Sequence, residues 1–143
     1  MLILRRKHRE VSLTKDGDRA FEAGQWKLAA DFYRRVLDRK PADLAMWMKY
    51  GHACKEMGAF GEAEAAYRAA RARDISSPEP PLHLGHILRV QARNQEAEAA
   101  YLQAISLQSS NSDALSGLES LGWSERQLTA LRHIASADPA ATE

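Results

Sequence analysis

The middle of the chain alternates apolar and polar residues with the period of an amphipathic helix. One apolar stripe, at i, i+3, i+4 and i+7, consists of Trp47, Tyr50, Gly51 and Cys54. A second stripe, at i, i+3, i+7 and i+10, consists of Phe60, Ala63, Tyr67 and Ala70. Both spacings place their residues on one face of a helix, and Gly58 interrupts the pattern between them. The two stripes therefore predict a helical hairpin.

The same hairpin recurs along the chain with a period of 34 residues. Three residue types keep this spacing: Gly17, Gly51 and Gly85; Ala29, Ala63 and Ala97; Tyr33, Tyr67 and Tyr101. Because the chain has only 8 glycines and 4 tyrosines, chance is a poor explanation for aligned triplets of both. Gly24 is predicted to break the first hairpin and Pro41 to end it, since proline cannot continue a helix. The third hairpin is predicted to begin at Pro78.

Glycine and alanine at the repeated positions predict close packing between helices. A small residue lets the neighbouring helix approach, and the bulky Tyr or Trp opposite fills the remaining space. A single hairpin cannot bury its apolar face, so adjacent copies must cover it, and about three copies are needed for stability. The three copies in this sequence therefore predict a stack of hairpins.

The spacing resembles that of the tetratricopeptide repeat (TPR) family, with Trp, Leu, Gly and Tyr on the first helix and Ala, Phe and Pro on the second. The matching residues are Gly17, Ala29, Tyr33 and Pro41; Trp47, Gly51, Ala63 and Tyr67; and Leu84, Gly85, Ala97 and Tyr101. Leu13 and Pro81 replace the typical Trp, and Asp16 replaces the typical Leu. The resemblance implies an all-α fold, a right-handed superhelical solenoid of three TPR helical hairpins plus a C-terminal capping helix pair.

The predicted organisation places a basic segment before the repeats and capping helices after them. The segments are a basic N-terminal segment (1–9), TPR units 1 (10–43), 2 (44–77) and 3 (78–111), a degenerate repeat or capping helices (112–136) and a tail (137–143). Within 112–136, Gly122 is predicted to end one helix. Ser124 and Gln127 have capping-box spacing for the next, whose apolar face consists of Leu128, Leu131 and Ile134.

Composition changes this picture little. Hydrophobic residues at 45% and charged residues at 27% are close to globular averages, so neither disorder nor a membrane protein is indicated. The single cysteine, Cys54, excludes an intramolecular disulfide and fits a reducing compartment, so we predict a cytoplasmic location. Residues 1–71 hold 15 Lys and Arg against 10 Asp and Glu, whereas residues 72–143 hold 5 against 9. This asymmetry is compatible with steering of an acidic partner toward the N-terminal end, but it is also common on passive solvated surfaces.

First helices line the concave surface of TPR proteins, so the resemblance implies a binding groove formed by residues off the packing stripe. The candidate groove residues are Lys15, Phe21, Met48, Lys49, His52, Lys55, Leu82, His83, His86 and Arg89. They combine apolar contacts with charge and hydrogen bonding, so the expected partner is a protein or peptide segment that is acidic with apolar anchors. The alternative for each residue is an ordinary solvated side chain.

Other kinds of site find less support. Some TPR domains clamp a C-terminal carboxylate, but the corresponding positions here include Asp18 and Glu79, which would repel it. His52, His83 and His86 are predicted as groove residues and not as zinc ligands. The basic cluster at residues 5–9 is open to nucleic acid, anionic lipid or solvent, and without interleaved aromatic residues for base stacking we predict no nucleic-acid partner. We also predict no membrane contact.

The sequence contains no pairing of a nucleophile with a base, no phosphate-binding loop and no metal-binding motif. We therefore predict no catalytic residue, metal or cofactor. The leading hypothesis is a non-catalytic interaction module, an adaptor or scaffold. The alternative is an N-terminal regulatory, targeting or oligomerising domain of a larger bacterial enzyme, such as a glycosyltransferase or sulfotransferase. A homo-oligomer involving Trp26 or Trp123 is a third reading.

Overall fold

The computed structural model describes residues 1–137, which form eight α-helices and no strand. In chain order the helices are α1 (Leu2–Glu22), α2 (Trp26–Leu37), α3 (Leu44–Glu56), α4 (Phe60–Arg73), α5 (Glu79–Val90), α6 (Asn94–Leu107), α7 (Ser112–Ser120) and α8 (Glu125–Ser136). The predicted tail at 137–143 lies outside these residues except for Ala137.

The helices belong to two compact units. Unit 1 is Met1–Asp74 and contains α1 to α4, and unit 2 is Ile75–Glu143 and contains α5 to α8. In unit 1, α1 packs on α2, α2 on α3 and α3 on α4. In unit 2, α5 packs on α6, and α7 packs on both. The predicted all-α architecture of successive hairpins is therefore confirmed for the described part of the chain.

The first helix of each hairpin ends two residues before a backbone with positive φ. These angles are +73° at Gly24, +77° at Gly58, +59° at Ala92 and +101° at Gly122. Glycine adopts this left-handed region without the steric cost that a Cβ adds, which explains why three of the four turns use it. Ala92 occupies the position 34 residues after Gly58 and adopts the same conformation despite its Cβ.

Three helices, α3, α7 and α8, begin with side-chain caps of the expected chemistry. The Asp43 carboxylate accepts a hydrogen bond from the Met46 amide at 3.1 Å, and the Asn111 side chain accepts one from the Ala114 amide at 2.9 Å. Ser124 and Gln127 form the predicted capping box at the start of α8. Each cap satisfies an amide that has no partner within its helix. On α8, Leu128 is buried whereas Ile134 is 73% exposed.

The repeated glycines pack directly against the repeated tyrosines. A Cβ added to Gly17 or Gly51 would lie 2.6 Å from a ring carbon of Tyr33 or Tyr67, respectively. Gly85 has the same relationship to Tyr101, which Gly117 of α7 also contacts. The three tyrosines are buried, as are Ala29, Ala63 and Ala97. The predicted pairing of small residues with large ones is confirmed. Among residues 1–137, no helix combines the length and apolar character needed to cross a bilayer.

Candidate functional site

Unit 1 contains a surface hollow of about 320 Å³ beside α1 and α3. The lining residues are Asp18, Phe21, Glu22, Tyr33, Lys49 and His52. Three of them, Phe21, Lys49 and His52, belong to the groove predicted from sequence. The helical spacing of α1 and α3 brings these three side chains to one place, as the repeat alignment anticipates.

Asp18 is the electrostatic centre of this hollow. Its carboxylate accepts hydrogen bonds from the Lys49 ammonium at 2.7 and 2.8 Å and from the Tyr33 hydroxyl at 2.7 Å. The Lys49 ammonium also lies 5.9 Å from the centre of the Tyr33 ring. Burial, with Asp18 nearby, strongly raises the pKa of the Tyr33 phenol, so the phenol stays protonated and donates. The charge of Lys49 is thus largely compensated within the unit.

In each of the three hairpins that contain a periodic tyrosine, the residue at one repeat position hydrogen-bonds that tyrosine. Asp18 bonds Tyr33, His52 bonds Tyr67 and His86 bonds Tyr101, each across 15 residues of sequence and at 2.7 to 2.8 Å. These pairs tie the first helix of a hairpin to its second helix. The sequence signal for these pairs is that Asp18, His52 and His86 keep the 34-residue period of the tyrosines and precede them by 15 residues. These pairs were not among the sequence-based predictions.

His52 is neutral near physiological pH. Its pKa is lowered, first by burial and then by the Lys55 charge, while burial strongly raises the pKa of the Tyr67 phenol. Nδ1 of His52 and the protonated Tyr67 hydroxyl share a hydrogen bond at 2.8 Å, whose direction depends on the histidine tautomer.

Unit 2 contains a smaller hollow of about 220 Å³ between α5 and α7. The lining residues are His86, Arg89, Asp113, Ser116, Gly117 and Ser120. His86 and Arg89 were predicted from sequence, whereas the polar residues of α7 were not, because the degenerate fourth hairpin gave no alignment for them. Burial raises the pKa of the Tyr101 phenol, and the Arg89 guanidinium offsets part of this.

The other predicted groove residues divide by exposure. Lys15 is exposed on α1, and Lys55 is half-buried with its ammonium 3.3 Å from Glu56. His83 lies 3.5 Å from the Glu79 carboxylate, and its ring centre is 5.8 Å from that of His86. Met48 and Leu82 are only 8% and 5% exposed. These two side chains belong to the core and offer little surface to a partner.

Aromatic residues considered for self-association have contacts inside their own units. Phe21 and Trp26 pack edge to face with ring centres 4.9 Å apart. The Trp123 indole donates to a Glu98 carboxylate oxygen at 3.0 Å. Both tryptophans are half-buried. Within residues 1–137, no group of three or more His, Cys, Asp or Glu side chains is placed to hold a metal ion.

Comparison with known proteins identifies the fold to which these units correspond. The family model for the middle TPR-like domain of cilia and flagella-associated protein 70 matches residues 18–133. A comparison with curated proteins found no match. The TPR domain of Arabidopsis OM64 aligns with a TM-score of 0.74 and 23% identity, over 80% of this chain and 95% of that chain.

Two further solved structures share the fold and contain peptides. The second TPR domain of human RPAP3, in complex with an HSP70 peptide, aligns with a TM-score of 0.75 and 19% identity over 82% of this chain and 98% of that one. The type III secretion chaperone SycD of Yersinia enterocolitica, in complex with a peptide of the translocator YopD, aligns with a TM-score of 0.69 and 18% identity over 86% and 92%. At these identities the likeness is one of fold.

Proposed function

Because the chain belongs to the tetratricopeptide repeat family, we propose that it is a non-catalytic protein-interaction module that binds a peptide segment along its first helices. The RPAP3 domain and SycD both hold peptides in their solved complexes, and this supports the same use of the fold here. The alternative, an N-terminal domain of a larger bacterial enzyme, stays a prediction.

The hollow of unit 1 is the observation that carries the proposal. Phe21 supplies an apolar wall, and the rings of Tyr33 and His52 line the same hollow, so the hollow suits an apolar side chain. The Lys49 ammonium is paired with the Asp18 carboxylate, so Lys49 contributes to the shape of the hollow more than to its net charge. An apolar anchor of a bound peptide therefore fits this hollow better than a lone carboxylate does.

Exposed cations beside the hollows support an acidic peptide. Lys15 on α1 and Arg89 on α5 are both exposed, and neither has a carboxylate within ion-pair distance in the described part of the chain. Such charges contribute more to the rate and selectivity of binding than to affinity. We therefore propose a peptide that combines acidic residues with aliphatic or aromatic anchors.

Selection from a displayed random peptide library tests this function without knowledge of the partner. We expect enriched sequences that contain acidic residues and at least one large apolar residue. Truncation of a buried anchor contact costs about 2 kcal/mol, so Phe21→Ala should weaken the selected peptides by about thirtyfold. Leu28→Ala, which removes a 44% exposed leucine on α2, is the matched control and should leave affinity unchanged.

A second variant separates lost binding from lost folding. Phe21 packs on Trp26, so circular dichroism must show that Phe21→Ala keeps its helices. Lys15→Glu alters only an exposed side chain and should weaken acidic peptides by a few-fold. A library that yields no enriched peptide, or selected peptides that bind both variants as tightly as the native chain, contradicts the proposal.

A further inference from the structure

The first turn of α1 presents an apolar tip to solvent. Leu2, Ile3 and Leu4 are 86%, 81% and 72% exposed, and the first buried residue of the helix is Glu10. Three adjacent aliphatic side chains at this exposure form a contiguous patch, which soluble surfaces seldom keep without a partner. We call these three residues the apolar tip.

A cluster of positively charged residues, which we call the basic collar, follows immediately along the helix. Arg5, Arg6, Lys7 and Arg9 continue α1, and Arg39 joins them from just beyond the end of α2. The apolar tip and this basic collar share a hollow of about 520 Å³, lined by Leu2, Ile3, Arg5, Arg6, Arg9 and Arg39. The collar therefore combines cations of α1 with one arginine of the turn that follows α2.

The collar cations are not neutralised by the protein. Within residues 1–137, none of the five has a carboxylate at ion-pair distance. The nearest acid, Glu10, is held by the Lys40 ammonium at 2.8 Å. That hydrogen bond lowers the pKa of Glu10, and the charges of Arg39 and Arg6 lower it further. Glu10 is thus already paired, and the collar keeps its own charge for an external anion.

The apolar tip and the basic collar follow one another along the helix axis, and this order selects the kind of partner. Successive residues turn by about 100° and rise by about 1.5 Å, so the four collar residues of α1 spread over about 200° of the helix circumference and do not form one narrow lateral face. The tip lies one turn beyond them. A peptide that lies along one side of the helix would contact only some of these cations. A planar surface that approaches the helix end-on contacts the apolar tip and the cations around it.

Two other partners fit less well. A second copy of the chain packed tip to tip would bring two collars together, and like charges repel. A nucleic acid has phosphates but no apolar layer for the tip, and the segment has no Phe, Tyr or Trp side chain for base stacking. A bilayer leaflet with anionic lipids has phosphates and carboxylates at its surface and acyl chains about 5–10 Å below.

We propose that the start of α1 docks end-on on an anionic membrane surface, with the apolar tip in the headgroup and acyl boundary and the basic collar on the lipid headgroups. This proposal revises the sequence-based expectation of no membrane contact. It fits the predicted cytoplasmic location, because the cytoplasmic leaflet carries the anionic lipids. The interaction is peripheral, and the hollow of unit 1 lies toward the opposite end of α1.

Vesicle sedimentation tests the proposal with the full chain. We expect the protein to sediment with vesicles of equimolar phosphatidylcholine and phosphatidylserine and to stay in the supernatant with pure phosphatidylcholine. Binding should weaken steeply with added salt. Each arginine near an anionic surface strengthens binding by about fivefold, so Arg5→Ala with Arg6→Ala should weaken partitioning about 25-fold.

Controls distinguish the collar from general basic charge. Arg126→Ala with Arg132→Ala removes two exposed cations of α8 and should leave partitioning unchanged. Leu2→Gln with Ile3→Gln keeps the charge, alters only exposed side chains, and should also reduce sedimentation, because the tip no longer enters the boundary. Loss with the collar variant but not with the tip variant would point to charge alone and overturn the end-on geometry.

The outcomes against the proposal are specific. Failure of the native chain to sediment with the anionic vesicles overturns it. Equal loss in the α8 control overturns the assignment to the collar. A single-stranded oligonucleotide that binds the chain while the anionic vesicles do not would instead identify a nucleic-acid surface.

Discussion

The Lys49 ammonium on α3 lies 2.7 Å from the Asp18 carboxylate on α1 and joins the first helices of the two hairpins in unit 1. Both side chains are 38% exposed, so solvent screens the pair, and its expected contribution is small. A double-mutant cycle with Asp18→Asn and Lys49→Met should give a coupling energy of about 0.5–1 kcal/mol in urea unfolding. A coupling near zero would show that the pair has no role in stability.

Charge reversal at the same lysine should cost more than its neutral replacement. Lys49→Glu brings a second carboxylate beside Asp18, so we expect it to unfold at lower urea than Lys49→Met. The difference should shrink in high salt, because part of it is screened repulsion. If both variants have the same midpoint at low salt, the Asp18 carboxylate does not face position 49 in solution. This variant is consequently a poor probe of peptide binding.

Gly51→Ala should destabilise unit 1 because its Cβ would meet the buried ring of Tyr67 at 2.6 Å. Overpacking of this kind costs about 1–3 kcal/mol, measured as a lower urea midpoint. Gly61→Ala is the matched control, since a Cβ there has no neighbour within 4 Å and alanine is the better helix former by up to about 1 kcal/mol. Equal effects of the two substitutions would contradict the packing described for Gly51.

Ala92→Gly should stabilise the protein. Ala92 has a φ of +59°, a conformation that costs a residue with a Cβ about 1–2 kcal/mol. Glycine avoids this cost, but part of the gain is lost because glycine has more conformational freedom in the unfolded chain. We expect a net gain of about 0.5–1 kcal/mol in urea unfolding. Ala65→Gly on the exposed face of α4 should instead lose about 1 kcal/mol. A loss at both positions would show that Ala92 is not strained.

His52 should make stability depend on pH. Burial lowers its pKa in the folded chain, so the unfolded chain binds more protons and stability rises with pH. The contribution is complete above the ordinary histidine pKa of about 6.5 and is lost as the pH falls toward the lower folded pKa. His52→Gln removes this titration, so the native chain should lose more stability than the variant between pH 7 and pH 5.5. Parallel pH profiles would contradict the assignment.

The hairpins and their glycine and tyrosine contacts follow from the sequence because both partners lie on the same 34-residue period. The repeat also brings Phe21, Lys49 and His52 to one hollow. Asp18 and Lys49 are 31 residues apart, off the period, so alignment of equivalent positions does not reveal their ion pair. Met48 lies off the packing stripe by helical spacing alone, yet it is buried, because burial depends on how neighbouring helices tilt and not only on angular position.

Tyr101 lies between the backbones of Gly85 on α5 and Gly117 on α7 and has no exposed surface. Because the ring leaves no space for a Cβ at either glycine, we expect it to flip only when α5 and α7 separate briefly. We therefore expect the flip rate, measured from the exchange of the two sides of the ring in NMR spectra, to report how often unit 2 opens. The same motion should accelerate when a variant loosens α7.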